Sequence, residues 1–179
     1  MKISNHLVRS SGVLATLGLA LASGAQAQQA APPADAAPGL EFAFEEIVTL
    51  GPIVKVGPTA RGGRTIIPIT GGSFSGPKIR GEVMPGGWDW QLLRNDGCTE
   101  LEADYMLRTH DGTVINVLNK GVACPPAAGE APAGVRTVAV FEAPIGAYDW
   151  MSKSAFVGML VPYESPGGPA VKIRFYRVR

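Results

Sequence analysis

The chain has 179 residues with 16 Lys and Arg, 15 Asp and Glu and two histidines, which gives a formal net charge of +1. Hydrophobic residues make up 46% of the sequence, enough for a globular core. The balance of charges excludes the broad basic surface that nucleic acid or an anionic membrane requires, so we expect neither as a partner.

The first 27 residues have the pattern of a secretory signal peptide. Lys2 and Arg9 form a basic start, an apolar run extends from Val13 to Ala22, and Ala25-Gln26-Ala27 provides a small-residue cleavage site. A buried helix is the alternative, but the run has no polar face. The run is shorter than the ~20 residues that span a bilayer, so no membrane span is expected in the mature chain. We therefore predict a periplasmic or secreted protein.

Residues 28–38 consist mainly of Ala, Pro and Gln with a single acid, a composition that cannot bury enough apolar surface to order itself. We predict a flexible linker there. Cleavage after Ala27 leaves 152 residues (179 − 27), which fits one domain. It also leaves 14 basic residues (16 − 2) against 15 acids, a near-neutral mature chain.

Short β-rich segments follow one another from Leu40 at intervals of about ten residues. In the first segment Leu40, Phe42 and Phe44 alternate with other residues, the period-two pattern of a half-buried strand. The later predicted strands are residues 53–56, 65–70, 78–83, 89–94, 99–109, 113–119, 136–141, 155–163 and 170–178. Breaks are predicted at glycine and proline pairs, among them Gly57-Pro58 and Gly71-Gly72.

No stretch of ten to fifteen residues keeps a helical period, so at most one short helical turn is expected, within residues 148–153. The pattern predicts an all-β antiparallel fold of nine or ten strands, either a barrel or a sandwich, over residues 39–179.

The two cysteines, Cys98 and Cys124, are expected in an oxidising compartment. The loop His110-Asp111-Gly112 predicts a hairpin in which residues 109 and 113 are opposite each other, so that paired residue numbers sum to 222. Cys98 and Cys124 have the same sum, and we predict a disulfide between them. Two free thiols are the alternative. Two cysteines and two histidines do not form a zinc set, so no metal site is predicted.

The segment 99–109 separates charged from apolar residues by alternation. One face carries Glu100, Glu102, Asp104, Met106 and Arg108, and the other carries Leu101, Ala103, Tyr105 and Leu107. A charged face that turns outward is a solvated surface. A charged face that turns inward makes Glu102 and Asp104 acid-base residues of a polar pocket, with pKa values perturbed by burial. The alternation leaves both orientations open.

Other side chains are candidates for a ligand site. Arg64 is either a surface arginine or a donor to a ligand carboxylate. Trp88 and Trp90 share one strand face and either belong to the core or stack on an aromatic ligand. Around the irregular segment 143–152 are Glu142, Tyr148, Trp150 and Lys153, of which Glu142 and Tyr148 are acid-base candidates if they face a cavity.

Several separate motifs resemble one known family. They are Gly63-Arg64-Thr65 with Pro68-Ile69-Thr70-Gly71-Gly72, Pro85-Gly86-Gly87 with Asp89-Trp90, Asp96-Gly97, Tyr105-Met106-Leu107-Arg108-Thr109 with Asp111-Gly112, Phe141-Glu142, and Tyr148-Asp149-Trp150 before Phe156-Val157-Gly158. Together they resemble the domain-of-unknown-function 3237 family, also called UPF0311, over residues 40–178. The resemblance favours a lipocalin-like barrel rather than a sandwich.

The resemblance also implies a shared polar site, but this chain departs from the family pattern there. The pattern has an acid at Glu102, an arginine at Asp104, often a tyrosine at Asn116, and Leu-Asn-Arg at residues 151–153, where this chain has Met-Ser-Lys. A reaction inferred from a relative therefore does not transfer directly.

We expect the barrel to bind a small aromatic or carboxylated molecule. The enzyme hypothesis has Arg64 holding the ligand anion, Trp88 and Trp90 stacking on it, and Glu102, Asp104, Glu142 or Tyr148 moving a proton, with Asn116, Trp150 and Lys153 contributing to binding. Such an enzyme would be a lyase, decarboxylase or isomerase. The sequence has no phosphate loop, dinucleotide motif or nucleophile elbow, so no cofactor is predicted. A carrier without turnover is the second hypothesis, and a structural envelope protein with a filled barrel is the third.

Overall fold

A computed structural model describes residues 37–179 of the chain. The signal peptide and all but the end of the predicted linker lie outside the described residues. The strands are β1 (Leu40–Leu50), β2 (Val54–Thr59), β3 (Gly62–Ser75), β4 (Arg80–Val83), β5 (Gly87–Leu93), β6 (Thr99–Thr109), β7 (Val114–Ala123), β8 (Val135–Glu142), β9 (Phe156–Ser165) and β10 (Gly168–Val178), with one helical turn, α1 (Asp149–Ser152). The all-β prediction with one short helical turn is confirmed.

The strands form a closed antiparallel barrel. Neighbouring strands follow the order β1, β10, β9, β8, β7 and β6. Strand β6 then pairs with both β4 and β5, which pair with successive halves of the long strand β3. The second half of β3 also pairs with β1, which closes the ring at eight strand positions. Strand β2 pairs only with β3 and lies outside the ring. The barrel predicted from the family resemblance is confirmed.

Two of the predicted breaks lie inside strands. Gly71 and Gly72 have φ values of 139° and 137°, and β3 runs through them without a turn. A Cβ atom on Gly72 would lie 1.9 Å from the carbonyl oxygen of Ile47 in the adjacent strand. The glycine pair therefore bends β3 and admits β1 to close contact, which a local turn signal cannot distinguish from a chain reversal. Gly57 and Pro58 lie within β2, at an irregularity in its pairing with β3.

The β6–β7 hairpin has the predicted register. Thr99 pairs with Ala123 and Arg108 with Val114, and the ladder continues past Gly121 without interruption. Cys98 and Cys124 therefore lie opposite each other just beyond the last pair, and they form a disulfide. This bridge fastens the end of the hairpin opposite to its loop.

The barrel is closed at one end by aromatic packing. Phe44 lies 5.7 Å from Phe141 and 5.0 Å from Phe175, measured between ring centroids, and Phe156 lies 4.8 Å from Phe141. The turn α1 covers this cluster with the fully buried Met151. Aromatic rings at these distances in edge-to-face geometry are favourable packing pairs. We refer to this part of the interior as the packed half.

Among residues 37–179 no helix has the length and apolar character needed to cross a membrane.

Candidate functional site

The other half of the barrel interior contains a cavity of about 80 Å³. Its half-buried rim includes Leu50, Ile67 and Leu160, and its deeper wall includes the buried Ile69 and Ile173. The polar side chains of the lining are Asp89, Gln91, Tyr105, Asn119 and Thr137. We refer to this part of the interior as the cavity half. The volume is below the ~300 Å³ of a typical site for a drug-sized ligand, so it suits a few atoms or one end of a longer molecule.

A buried carboxyl group adjoins the floor of the cavity. Glu46 is fully buried on β1, on the same face as Val48, which lines the cavity. The hydroxyl group of Tyr105 donates a hydrogen bond to Oε1 of Glu46. Burial raises the pKa of Glu46 to about 8, and the hydrogen bond from Tyr105 opposes that rise only in part. Glu46 therefore retains its proton at neutral pH.

One carboxyl oxygen of Glu46 is available for a further hydrogen bond. Its Oε2 atom is buried without a partner among the described residues. Burial, followed by the charge and hydrogen bond of Glu46, raises the pKa of Tyr105 well above its usual value. The charge of Asp89 adds a smaller contribution of the same sign to the pKa of Tyr105. Tyr105 thus lies between the buried Glu46 and a cavity that also contains Asp89.

Asp89 is the second carboxyl group of this half. Its Oδ2 atom accepts a hydrogen bond of 2.7 Å from Gln91 Nε2, and its Oδ1 atom accepts one of 3.2 Å from the backbone N–H of Glu102. Burial raises the pKa of Asp89, while these two bonds lower it. The bond to Glu102 falls between the pairs Asp89–Ala103 and Leu92–Glu100, where the β5–β6 ladder is interrupted. The side chain thus replaces a missing ladder bond and still faces the cavity.

Two more polar side chains in the lining lack partners. Oδ1 of Asn119 and Oγ1 of Thr137 are buried and make no hydrogen bond within the described part of the chain. Buried polar atoms in folded proteins are nearly always hydrogen-bonded, so exceptions that share one cavity mark a place for a ligand or water. The described lining contains no Lys, Arg or His.

The structure decides the orientation of the charged face of β6, which the sequence left open. Glu102 and Asp104 are exposed on the outer surface, whereas Ala103 and Tyr105 line the cavity. Glu102 forms a salt bridge of 3.2 Å with Lys120. An inward position of this face is wrong, because the apolar residues of the same strand fill the interior. Glu102 and Asp104 have no access to the cavity, and their acid-base roles remain predictions.

The predicted ligand-binding residues of β3, β5 and β7 meet on the outer surface. Trp88, Trp90, Asp104 and Asn116 line one shallow groove of about 320 Å³. Arg64, Trp90 and Glu102 line a second groove of about 320 Å³ with Lys120. The guanidinium carbon of Arg64 lies 6.0 Å from the ring centroid of Trp90. The structure brings these residues together, but outside the barrel instead of in its cavity.

The remaining predicted residues belong to the closed end of the barrel. Tyr148 is buried and donates a hydrogen bond of 3.1 Å to Oδ2 of Asp111, which attaches the α1 segment to the hairpin loop. Trp150 packs on Phe156, and the guanidinium group of Arg177 lies over its ring. Lys153 pairs with Asp149 one helical turn away. Glu142 is exposed at the end of β8 beside Asn116. None of these four lines the cavity.

The sequence-based site omitted Glu46, Asp89, Tyr105, Asn119 and Thr137. A signal for Glu46 was present, because Phe44, Glu46 and Val48 fall on one strand face and place an acid between two apolar residues. For Asn119 and Thr137 the alternation of β7 and β8 shows only that they point inward. Their convergence on one cavity depends on the closure of the ring.

Taken together, the fold and the site define a small closed antiparallel barrel with an acidic internal cavity. The chain belongs to the family described as "Protein of unknown function (DUF3237)", whose model matches residues 38–178.

Curated relatives agree with this assignment. A UPF0311 protein from Bradyrhizobium diazoefficiens is 34% identical over 128 residues, which cover 65% of this chain and 84% of that protein. A UPF0311 protein from Rhodopseudomonas palustris is 38% identical over 86 residues, 48% of this chain. In that case the match spans only 56% of the relative's length.

Solved structures share the fold. The crystal structure of a beta-barrel like protein from Acinetobacter baumannii has a TM-score of 0.72 and 29% identity, and covers 85% of this chain and all of that one. An enzyme from Penicillium herquei has a TM-score of 0.62 at 22% identity, and covers 79% of this chain and 95% of that one. At that identity the likeness concerns the fold alone.

Proposed function

We propose that this protein binds a small uncharged carbonyl or hydroxyl compound in the cavity half of its barrel and catalyses a cofactor-free proton transfer on it, as an isomerase or lyase. The observation that carries the proposal is the fully buried Glu46, bonded to Tyr105 beside a cavity that also contains Asp89. Burial raises the pKa of Glu46 to about 8, so this carboxyl group can serve as an acid. Two carboxyl groups in different environments are a recurrent arrangement for an acid and a base in one site.

The roles follow from the surroundings of each group. Asp89 receives two hydrogen bonds that favour its ionised form, so it is the base that removes a proton from the carbon next to a carbonyl. The carbonyl oxygen accepts a hydrogen bond from the hydroxyl group of Tyr105. In the ligand-free protein this hydroxyl group donates to Glu46, so ligand binding reverses the bond: Tyr105 donates to the carbonyl oxygen and the protonated Glu46 donates to the Tyr105 oxygen. As the carbonyl oxygen gains negative charge it takes the Tyr105 proton, and Glu46 replaces that proton. Asp89 then returns its proton to a different carbon, and the enol proton passes back through Tyr105 to Glu46, which completes an isomerisation and restores all three groups.

The polarity of the lining selects the ligand. An anionic substrate would meet Asp89 without a compensating cation, which costs binding energy. This argues against a decarboxylase and against the carboxylated ligand expected from the sequence. Asn119 Oδ1 and Thr137 Oγ1 accept hydrogen bonds from a ligand hydroxyl group.

A carrier without turnover is the second candidate. It is supported by the apolar part of the lining, which accounts for nine of its fourteen residues. Export to the periplasm, as the first 27 residues predict, is part of either proposal, and the Cys98–Cys124 disulfide is compatible with it.

The test is incubation of the protein with a mixture of small neutral enones, ketones and phenols, followed by mass spectrometry of the bound fraction and the supernatant. The proposal predicts a product that disappears in Asp89→Asn and falls at least tenfold in Glu46→Gln and Tyr105→Phe, in keeping with the ~10²–10⁴-fold contribution of acid-base groups. A compound that is retained unchanged supports the carrier.

Arg64→Ala and Glu102→Gln are the matched controls, because both residues lie on the outer surface. Turnover that persists in Glu46→Gln and Asp89→Asn but is lost in these two variants would overturn the proposal and move the site to the outer grooves.

A further inference from the structure

Two buried polar side chains, Asn119 on β7 and Thr137 on β8, form one wall of the cavity half. Each residue is only 3% exposed, and Asn119 Oδ1 and Thr137 Oγ1 have no hydrogen-bond partner among residues 37–179. A buried polar atom without a partner costs free energy, so two such atoms in one wall are unfavourable unless a molecule binds there. The chemical group that satisfies both atoms therefore identifies the ligand.

Asn119 lies in a cross-strand row in which its neighbours are small. It pairs with Ala103 on one side and with Ala139 on the other, and Ala103 pairs in turn with Asp89. Asp89 and Asn119 are thus two strand spacings apart, roughly 10 Å, with only the methyl group of Ala103 between them. This arrangement leaves room over Ala103 for the body of a small molecule that contacts both polar side chains.

Thr137 lies between two glycines, Gly121 on β7 and Gly158 on β9. A Cβ atom on Gly158 would lie 2.2 Å from Thr137 Oγ1, and a Cβ atom on Gly121 would lie 2.9 Å from Thr137 Cγ2. Glycine in the interior of a strand weakens that strand, and it often marks a close approach of another group. Here the two glycines make room for the Thr137 side chain, which a Cβ atom on Gly158 would displace.

The two unpartnered atoms are close enough to bind one ligand oxygen. Thr137 is a diagonal neighbour of Asn119, because Asn119 pairs with Ala139, two residues further along β8. Diagonal neighbours on one face of a sheet are ~7 Å apart, and their Cβ atoms are closer. An oxygen atom with hydrogen bonds of ~2.8 Å to both side chains joins atoms up to ~5.6 Å apart. A single ligand group can therefore reach both.

A hydroxyl group is the uncharged group that satisfies both atoms at once. Asn119 Oδ1 can only accept a hydrogen bond, and it takes the one proton that a ligand hydroxyl group can give. Thr137 has a hydroxyl proton of its own, which it donates to the ligand oxygen. A ligand carbonyl group could accept from Thr137 but would leave Asn119 Oδ1 without a partner. Buried water usually has about three polar partners, and these two atoms provide only two.

We propose that the substrate of the cavity is a hydroxy-carbonyl compound, and that Asn119 and Thr137 determine its specificity by binding the hydroxyl group. This inference rests on the proposed function, in which Tyr105 binds the carbonyl group and Asp89 removes a proton. Tyr105 pairs with Val117, one inward-facing position closer to the packed half than Asn119. The hydroxyl and carbonyl groups thus bind at different levels of the cavity, and the two specificity residues take no part in the proton transfer.

Binding of matched probes to the purified protein tests the inference. The probes are cyclohex-2-enone, its 4-, 5- and 6-hydroxy derivatives and the corresponding methoxy derivatives, with affinities from isothermal titration calorimetry. We expect one hydroxylated probe to bind at least tenfold more tightly than cyclohex-2-enone, because a site that is built for a substrate hydroxyl group rejects the analogue without it. The matching methoxy probe should lose this advantage, because it cannot donate to Asn119 Oδ1.

Thr137→Val and Asn119→Leu keep the approximate shape of each side chain and remove its hydrogen-bonding atoms. Each variant should bind the hydroxylated probe and cyclohex-2-enone with similar affinity. Ile67→Val is the matched control, because Ile67 belongs to the apolar part of the lining. It should change the affinity for both probes to a similar extent and leave their ratio as in the wild type.

Urea unfolding of the ligand-free variants separates substrate recognition from a structural role. Since an unpartnered polar atom destabilises the fold, Thr137→Val and Asn119→Leu should unfold at the same urea concentration as the wild type or at a higher one. Earlier unfolding of both variants would mean that the two side chains hold the fold together through buried water, and the inference would be wrong.

Equal affinity for probes with and without the hydroxyl group would also overturn the inference, as would a preference that survives in both variants. Mass spectrometry of the supernatant tests the proposed function separately. Turnover without a hydroxyl preference contradicts only the substrate class inferred here. A hydroxyl preference without turnover supports the recognition by Asn119 and Thr137 and contradicts only the proposed catalysis.

Discussion

The two halves of the barrel interior are built from the same strands but differ in what they contain. Along β8 the inward residues change from Phe141 through Ala139 to Thr137, and along β7 from Ile115 through Val117 to Asn119. Thr137 is smaller and more polar than Phe141, and Asn119 is smaller and more polar than Ile115. The packed half therefore fills its space with aromatic rings, and the cavity half has unfilled space lined by groups that can bind. One strand order thus supports an end filled with aromatic side chains and an end that contains a polar cavity.

The contrast explains how the protein tolerates Glu46. Ionisation of a buried carboxyl group costs free energy, and Glu46 avoids this cost because it retains its proton. The aromatic cluster lies next to Glu46 along β1. The stability of the packed half permits a destabilising group in the cavity half. Such local conflicts are characteristic of functional sites.

The largest expected effect is on the pH dependence of stability. The pKa of Glu46 is about 8 in the folded protein, against an ordinary value of 4.5 for a solvated glutamate. The folded state therefore binds the extra proton between these values, so stability is full below pH 4.5 and decreases as the pH rises to about 8. The difference of about 3.5 in pKa corresponds to at most ~5 kcal/mol. Urea unfolding at pH 5 and pH 8 measures it.

Glu46→Gln is the control for that experiment, since glutamine can still accept the Tyr105 hydrogen bond but does not titrate. Asp89 also has a raised pKa, so the stability of the Glu46→Gln variant should still decrease with rising pH, but by a smaller amount. If the stability of Glu46→Gln fell between pH 5 and pH 8 as steeply as that of the wild type, Glu46 would be excluded as the cause of the pH dependence.

Truncation in the packed half should be the next largest effect. Phe141→Ala removes a ring that contacts Phe44, Phe156 and Phe175, and we expect a loss of ~4 kcal/mol in the free energy of unfolding. The adjacent Val140→Ala, on the outer side, should change it by less than ~0.5 kcal/mol. Equal losses for the two variants would contradict the assignment of inner and outer faces.

Removal of the disulfide should weaken the cavity half selectively. The bridge closes a loop with a sequence separation of 26 residues, and a double Cys98→Ser, Cys124→Ser variant should lose ~3 kcal/mol. Hydrogen exchange should show the loss of protection at Leu101 and Val122, near the bridge, before Leu107 and Ile115 in the packed half. Uniform loss of protection would mean that the two halves unfold as one unit.

The smallest loss in the free energy of unfolding is expected for a substitution at the closed end of the barrel. Tyr148→Phe removes one hydrogen bond to Asp111 and leaves the packing of the ring, so a loss of ~1 kcal/mol is expected. Substrate turnover should be unchanged, because Tyr148 is not part of the cavity lining. Loss of turnover in this variant would restore Tyr148 as the acid-base residue expected from the sequence.

The sequence predicted the elements of the fold well because their signals are local. Alternation, turn residues and a three-residue hairpin loop gave the register of β6 and β7, and the register gave the disulfide. The failure at Gly71-Gly72 has a non-local cause, the approach of β1 to β3, which no residue near the glycines reveals.

The candidate site was less predictable for the same reason. Charged and aromatic residues are the usual candidates for a site in a sequence. The candidates chosen in this way do lie close together, but on the outer surface: Arg64, Trp88, Trp90 and Glu102. The alternation of β6 separates two faces without saying which one is inside. Only ring closure unites Glu46 of β1, Asp89 of β5 and Asn119 of β7 around one cavity.

The most direct test of the central claim is the titration of Glu46 by carbon-13 NMR, with its side-chain carboxyl resonance assigned from the Glu46→Gln variant. We expect this carboxyl group to remain protonated through neutral pH and to titrate near pH 8. Titration near pH 4.5 would mean that Glu46 is solvated and ionised, and the cavity would then have no buried acid.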